Sequence, residues 1–197
     1  MEEMADQVKH LLDHLKLRKY VIIGHSMGGY VAMAFAEKHA GHVSGLCMFH
    51  SSTAPDSEEK KLDRDRAIEA VKADKKAFVF ALLDKLFAPE NLPLMKKQIE
   101  KLRVIANSAS PQAIIAALEG IKIRADRTAL LKTFTFPVLY VVGKKDKVLP
   151  AEALIAQSKL PEQGGSLFLE NAGHMGFYES PDTVKKAMRG FLRKCWQ

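Results

Sequence analysis

The chain has 197 residues, of which 47% are hydrophobic and 27% are charged. This balance is typical of a globular domain with a sizeable core, and it excludes a disordered, collagen-like or repeat-array protein. No apolar run approaches the roughly 20 residues that cross a bilayer, so the sequence also excludes an integral membrane protein.

The formal net charge of +7 raises the question of a nucleic-acid partner. The lysine doublets are scattered, and most lie on predicted helices beside acidic residues, as in the segment 58–61. Aromatic residues do not alternate with these lysines, as a base-stacking surface requires. We therefore interpret the basic residues as solvated helix faces and expect no nucleic-acid binding.

The two cysteines, Cys47 and Cys195, are too few for a disulfide framework or a structural zinc site. The acidic segment 1–6 lacks the basic and apolar regions of a secretory signal. Together these features predict free thiols in a reducing compartment and a cytoplasmic protein.

The hydrophobic pattern predicts alternating helices and strands along the first quarter of the chain. The β-branched run 20–23 predicts a parallel strand buried on both faces, the segment 30–39 a second helix, and the run 43–49 a second strand. The helix before them carries an apolar stripe formed by Met4, Val8, Leu11, Leu12 and Leu15.

The long segment 57–132 contains no strand signal and is typical of several amphipathic helices. Their apolar stripes pass through Ile68 and Val71, through Phe78, Leu82, Leu83 and Leu86, through Leu94, Ile99, Leu102 and Ile105, and through Ile114, Ile115 and Leu118. Breaks are predicted at Pro89, Pro93, Pro111 and Gly120. The aromatic residues of this segment either line an acyl pocket or form its own core; they are Phe78, Phe80 and Phe87.

Two further apolar runs, 137–142 and 166–169, predict the third and fourth strands. A final helix begins at Ser180 and Pro181, which supply a capping hydroxyl and a proline at the first helical position. Its apolar stripe is formed by Val184, Met188, Phe191 and Leu192. Strands that alternate with helices predict an α/β fold with a mostly parallel sheet flanked by helices. We divide the chain into a core at 1–54 and 133–197 and an inserted helical cap at 55–132.

The segment Gly24-His25-Ser26-Met27-Gly28 fits the Gly-x-Ser-x-Gly pattern of a nucleophile elbow, and it stands between a predicted strand and a predicted helix. Glycine is expected at both ends because side chains there would collide with the neighbouring strand and helix. The turn presents the Ser26 hydroxyl at a helix N-terminus, which favours an anion. A tight turn with an inert serine is the alternative.

A serine hydroxyl is a weak nucleophile at neutral pH and needs a base that is oriented by an acid. Asp146 and His174 each follow the carboxyl end of a predicted strand, where open α/β sheets carry their functional residues. We therefore predict that Ser26, Asp146 and His174 meet at one rim of the sheet. The alternatives are a turn-forming carboxylate at Asp146 and a loop histidine without a role at His174.

Other polar residues are weaker candidates. His10 and His14 lie one helical turn apart, but no third ligand is near, so we interpret them as exposed helix positions and predict no metal site. Asp56 is an alternative to Asp146 as the acid that orients the base. It lies some distance past the second strand, however, whereas Asp146 lies just past the carboxyl end of the third. His25 is expected to help shape the elbow.

With its motifs in the order Ser, Asp, His, the chain resembles the α/β-hydrolase fold superfamily, and within it the capped, esterase-like serine hydrolases. The resemblance rests on the segments 24–29, 143–150 and 172–174, the last followed by Glu179-Ser180-Pro181. It extends over essentially the whole chain. It implies hydrolysis of a small-molecule carboxylic ester through an acyl-enzyme, with the Met27 N–H as an oxyanion donor and with neither a metal nor an organic cofactor.

The chain departs from this family at its N-terminal side. Family members carry several strands before the helix that opens this sequence, and an early loop that supplies a second oxyanion N–H. The sequence therefore predicts an incomplete sheet with an apolar edge at Val21, through which the chain self-associates. Three hypotheses stay open: an ester hydrolase or a truncated part of one, a catalytically inactive scaffold, and a triad enzyme for acyl transfer or carbon–carbon bond hydrolysis.

Overall fold

Four parallel strands form the sheet of the computed structural model, which describes residues 1–197. The strands lie side by side in chain order, and every neighbouring pair is parallel. They are β1 (Tyr20–His25), β2 (Val43–Phe49), β3 (Val138–Gly143) and β4 (Gly164–Leu169). The four predicted strands are confirmed. Because all four run in the same direction, their carboxyl ends meet at one edge of the sheet, which we call the carboxyl rim.

Eight α-helices connect and cover the strands. They are α1 (Glu2–His14), α2 (Met27–His39), α3 (Glu58–Leu86), α4 (Lys96–Asn107), α5 (Pro111–Lys122), α6 (Ala151–Ser158), α7 (Gly176–Glu179) and α8 (Pro181–Cys195). None of them combines the length and the apolar character that a membrane crossing needs. The fold is a parallel sheet flanked by helices, as the alternating pattern predicts.

The helices α3, α4 and α5 lie between β2 and β3 in the sequence, and we call residues 58–122 the helical insertion. The two helices predicted before Leu86 are two halves of α3, which a non-helical backbone at Asp74 interrupts. The Asp74 carboxylate accepts a hydrogen bond from the Ala77 N–H at 2.9 Å and thereby caps the second half. The predicted break at Gly120 is wrong: this residue lies inside α5, because one glycine costs a helix only about 1 kcal/mol.

Apolar side chains pack on both faces of the sheet. Along β2, Leu46 and Met48 join the core cluster that includes α2, whereas Cys47 and Phe49 join the cluster that includes α8. This alternation is the two-residue period of a strand. The sheet therefore lies between two layers of helices, and these layers leave the carboxyl rim to polar residues.

Helix α8 covers the second face of the sheet. Val184 and Phe191 from its predicted stripe are buried against β2 and β3. Ser180 precedes the helix as predicted, but its hydroxyl caps no backbone N–H. That part of the prediction is wrong because the backbone of Ser180, with ψ at 54°, lies outside the extended range of capping residues.

Helix α1 packs against α2 through a small residue rather than through its predicted apolar stripe. Ala5 is fully buried, and Arg127 joins the two helices by ion pairs to Glu2 at 2.6 Å and to Glu37 at 2.9 Å. With these contacts in place, four of the five side chains of the apolar stripe face outward. The outward side chains are between 38% and 57% exposed: Met4, Val8, Leu11 and Leu15.

The outer edge of β1 has no neighbouring strand, because β1 stands first in the sheet. The Ile23 side chain on this strand is 48% exposed, so the prediction that the strand is buried on both faces is wrong. Helix α1 makes its main contacts with α2 rather than with β1.

We predict that the protein self-associates through the β1 edge, because an unpaired strand with apolar side chains recruits further strands. Light scattering at high micromolar concentration is expected to give a mass above that of one chain. The variant Ile23→Lys is expected to lower this mass, whereas Ile123→Lys, at an exposed isoleucine just after α5, serves as the control. A monomer mass for the unchanged protein would contradict the prediction.

Candidate active site

Ser26 occupies the turn between β1 and α2, with backbone angles φ 51° and ψ −121°. This left-handed conformation is strained for a residue that has a side chain. Three hydrogen bonds hold it. The Ser26 N–H donates to the Phe49 carbonyl at 2.9 Å, and the Ser26 carbonyl accepts from the Gly29 N–H at 2.9 Å and from the Ser51 hydroxyl at 2.8 Å. The Ser51 contact cannot be predicted from the Gly-x-Ser-x-Gly pattern.

The glycines around Ser26 differ in how tightly they are enclosed. A Cβ atom on Gly24 would lie 2.4 Å from the Gly28 carbonyl oxygen, and one on Gly29 would lie 2.2 Å from the Ser51 hydroxyl oxygen. A Cβ atom on Gly28 would meet nothing within 4 Å. The expected collision is therefore confirmed at Gly24 and wrong at Gly28, where the first turn of α2 faces open space.

Asp146 follows β3 in a loop at the carboxyl rim. Its Oδ1 atom accepts hydrogen bonds from the N–H groups of Val148 at 2.8 Å and Leu149 at 3.2 Å, which fix the carboxylate. Its Oδ2 atom lies 2.7 Å from His174 Nδ1. The side chain is only 1% exposed.

His174 follows β4 and links the other two predicted residues. Its Nδ1 atom faces Asp146, and its Nε2 atom lies 2.8 Å from the Ser26 hydroxyl oxygen. Beside an ionised carboxylate the proton belongs on Nδ1, so that Nε2 accepts the hydrogen bond from the serine. The structure thus brings Ser26, Asp146 and His174 into one hydrogen-bonded series. Chemically, such a series removes the hydroxyl proton as the oxygen attacks an electrophile.

The charge of this site resides on Asp146. Burial on its own raises the pKa of the Asp146 carboxyl, but the imidazoles of His174 and His50 outweigh that effect and hold the pKa well below its usual range. The carboxylate is therefore ionised throughout the neutral range. An ionised acid is what a positively charged imidazole needs as its partner.

Two further histidines lie beside this series: His25, which the sequence predicts to help shape the elbow, and His50, which the sequence gives little reason to choose. His25 Nε2 donates to the His174 carbonyl at 2.9 Å, so the residue before the serine also holds the loop of the base. His50, directly after β2, is fully buried, and its Nδ1 atom lies 3.5 Å from Asp146 Oδ2. The position of His50 directly after a predicted strand is the feature of the sequence that could have identified it.

Burial keeps both of these histidines neutral. It lowers the pKa of His25 to about 4, against the opposing hydrogen bond to the His174 carbonyl. Burial also lowers the pKa of His50, although the nearby Asp146 carboxylate favours the charged form. At neutral pH neither of these two imidazoles therefore carries a positive charge beside the Asp146 carboxylate.

One group of side chains is compact enough to hold a metal ion: the ligand atoms of His50, Asp146 and His174 lie within 4.8 Å of one another. The N–H groups of Gly143 and Gly176 point at the two ring nitrogens of His50, each at 3.2 Å. A neutral imidazole has one lone pair, so that lone pair already accepts a hydrogen bond. The donor set therefore fits a hydrogen-bonded network better than a metal centre.

Met27 is the first residue of α2, directly after Ser26. The first N–H groups of a helix have no acceptor within the helix and lie at the positive end of its dipole. The Met27 N–H is thus available to an anion that forms beside the serine hydroxyl.

The remaining candidates lie apart from the series. Asp56 is buried in ion pairs with Arg64 at 3.0 Å and Arg124 at 2.8 Å, whereas the carboxylate that contacts His174 Nδ1 is that of Asp146. His10 and His14 are exposed on α1. Phe87 packs with Ile99 and Met175, Phe78 packs against Ile68, Val71 and Leu118, and Phe80 lies under Lys76 and Arg103.

Known proteins similar to this chain include hydrolases and esterases. A family model described as alpha/beta hydrolase fold matches residues 1–181. A thermophilic esterase from Thermogutta terrifontis, solved with malate bound, is 36% identical, with a TM-score of 0.92 over 98% of this chain and 72% of that one.

Two curated relatives are more distant. The AB hydrolase superfamily protein YisY of Bacillus subtilis is 25% identical over an alignment of 198 residues, which covers 96% of this chain and 72% of that protein. A pimeloyl-(acyl-carrier protein) methyl ester esterase of Neisseria meningitidis is 27% identical over an alignment of 179 residues, which covers 87% of this chain and 68% of that protein.

The enclosure of the elbow glycines predicts opposite results for two matched substitutions. Gly24→Ala is expected to lower the free energy of unfolding by about 3 kcal/mol, because the new methyl group meets backbone atoms that cannot move aside. Gly28→Ala is expected to leave it unchanged or slightly higher, because alanine is the better helix residue. Urea denaturation followed by circular dichroism measures both. Equal losses would show that the turn requires glycine for another reason.

The neutral state of His25 predicts a pH dependence of stability. The unfolded chain binds a proton at this residue below about pH 6.5, whereas the folded protein binds it only near pH 4. The stability due to neutral His25 is therefore complete above pH 6.5 and is lost as the pH falls to 4, by about 3 kcal/mol in all.

The variant His25→Asn is expected to flatten this fall in the free energy of unfolding between pH 6.5 and 4, measured by urea denaturation at each pH. His14→Asn, at an exposed position, controls for the loss of one histidine. Parallel curves for the original protein and His25→Asn would contradict the prediction.

Proposed function

The chain belongs to the α/β-hydrolase fold family, and from that premise we propose that it is a serine hydrolase that cleaves carboxylic esters. One observation carries the proposal: Ser26 Oγ lies 2.8 Å from His174 Nε2, and His174 Nδ1 lies 2.7 Å from Asp146 Oδ2. This arrangement gives the hydroxyl a base and gives the base an orienting anion, which is what acyl transfer to serine requires.

In the proposed mechanism Ser26 Oγ attacks the ester carbonyl while His174 Nε2 takes the hydroxyl proton. Asp146 stabilises the imidazolium that forms, and the Met27 N–H donates to the oxyanion. The tetrahedral intermediate collapses when His174 returns the proton to the departing alkoxide. An alcohol leaves, and the acyl group stays on Ser26.

Water completes the reaction along the same path. His174 takes a proton from the water as its oxygen attacks the acyl carbon. It then returns that proton to Ser26 Oγ as the carboxylic acid leaves. Every proton that moves passes through His174 Nε2, so the reaction needs no group beyond the three residues, the Met27 N–H and water.

Two other reactions keep the same residues: transfer of the acyl group to an alcohol, and hydrolysis of a carbon–carbon bond. Ester hydrolysis is supported by the names of two similar proteins, the 36% identical esterase and the methyl ester esterase. We further propose that residues 55–132 act as a cap over the site of a core formed by 1–54 and 133–197, and so shape the acyl pocket. Contacts between the helical insertion and the loop of His174 support this division.

A fluorophosphonate probe tests the nucleophile. The protein is expected to gain the mass of one phosphonyl group, because an activated hydroxyl attacks phosphorus as it attacks an acyl carbon. Ser26→Ala is expected to gain none, and Ser108→Ala, at an exposed serine, is expected to react normally. Intact-mass spectrometry reads the result. Stoichiometric labelling reads the nucleophile directly, because it needs a single attack by the Ser26 hydroxyl and no turnover.

Absence of an adduct on a protein that circular dichroism shows to be folded would favour the inactive scaffold. Where labelling succeeds, hydrolysis of short- and long-chain p-nitrophenyl esters, with and without added alcohols, distinguishes ester hydrolysis from acyl transfer. We expect free acid as the main product.

A further inference from the structure

Glu179, the last residue of α7, has a carboxylate that accepts four hydrogen bonds. Its Oε1 atom accepts from the Ala88 N–H at 2.8 Å and from Asn91 Nδ2 at 2.9 Å. Its Oε2 atom accepts from the N–H groups of Gly173 at 2.9 Å and Met175 at 3.2 Å. The two oxygens thus bind two different parts of the chain.

The donors to Oε2 lie on either side of the proposed base. Gly173 and Met175 flank His174 in the sequence, so Glu179 holds the backbone of that loop on both sides of the imidazole. Asp146 fixes the imidazole through its side chain, whereas Glu179 acts on the backbone from which that imidazole extends.

The donors to Oε1 belong to the helical insertion, in the stretch that follows α3. The helical insertion and the loop of His174 are also joined directly. The His174 N–H donates to the Leu86 carbonyl at 2.7 Å, and Asn91 Nδ2 donates to the Asn171 carbonyl at 2.7 Å. A Cβ atom on Gly173 would lie 2.6 Å from Ala88 N, so the two backbones are in contact. The insertion therefore borders the loop of His174 without an intervening layer.

The chemistry of this contact requires a carboxylate. Four N–H groups converge on the two oxygens of Glu179, and a carboxylate offers about four lone-pair directions and no hydrogen of its own. An amide would direct its NH₂ group at two N–H donors. Hydrogen bonds to an ionised acceptor are also shorter and stronger than those to a neutral one.

We propose that Glu179 is a positioning residue that couples the helical insertion to the proposed base His174. Displacement of the stretch 86–91 then moves the loop 171–175, and with it the distance from His174 Nε2 to the Ser26 hydroxyl. This inference rests on the proposed function for its effect on rate, but the coupling between the two segments stands on the hydrogen bonds alone.

The test compares Glu179→Gln with Glu170→Gln. Glu170 lies in the loop of His174, directly after β4, but its carboxylate is exposed and pairs only with Lys144 at 2.9 Å, so it is a matched control. Glu179→Gln is expected to slow fluorophosphonate labelling of Ser26 and the kcat of ester hydrolysis by about 10- to 100-fold, with KM changed less than about threefold, because a misplaced catalytic group costs rate rather than binding. Glu170→Gln is expected to match the original protein.

Hydrogen exchange provides the readout that is independent of activity. In Glu179→Gln the amides of 172–176 and of 86–91 are expected to lose protection together. Asn91→Ala, which removes one donor on the insertion side, is expected to give a smaller change of the same kind in both segments. It also serves as the second variant if Glu179→Gln does not fold.

Normal labelling by Glu179→Gln, or faster exchange in only one of the two segments, would overturn the inference. If the original protein itself does not label, the proposed function fails. The exchange experiment still decides whether Glu179 couples the two segments, so the two failures are distinguishable.

Discussion

The hydrogen bond between Ser26 and His174 depends on strands that end at the same edge of the sheet. Each of its two residues stands at a different strand end, and Asp146, which orients His174, stands at a third. Parallel pairing brings these ends together although 148 positions of sequence separate the serine from the histidine. Packing on both faces of the sheet fixes the relative heights of the strands, and therefore the distances at the rim.

The electrostatics of the site follow from burial. A low-dielectric surrounding would ordinarily discharge a carboxylate, yet Asp146 keeps its charge because two imidazoles and two backbone N–H groups surround it. The same burial keeps His25 and His50 uncharged. In the proposed mechanism, a proton taken from Ser26 places a positive charge on His174, directly against the Asp146 carboxylate.

Local pattern predicts much of this arrangement. The four apolar runs give the strands, and glycine on both sides of a serine after such a run gives the elbow. The errors arise where distant residues decide the outcome. Arg127 and Ala5 determine which face of α1 is buried, and a helix continues through Gly120 because tertiary packing outweighs one weak propensity. Glu179 was visible only as part of a motif, since its four donors come from segments that meet only in the folded chain.

The left-handed backbone of Ser26 sets stability against chemistry at a single position. Glycine adopts such angles without the penalty of about 1–3 kcal/mol that a side chain incurs. A Ser26→Gly substitution would consequently stabilise the turn and remove the hydroxyl in a single step. The geometry of the turn alone therefore gives no reason for a serine at position 26, whose side chain adds the hydroxyl that faces His174.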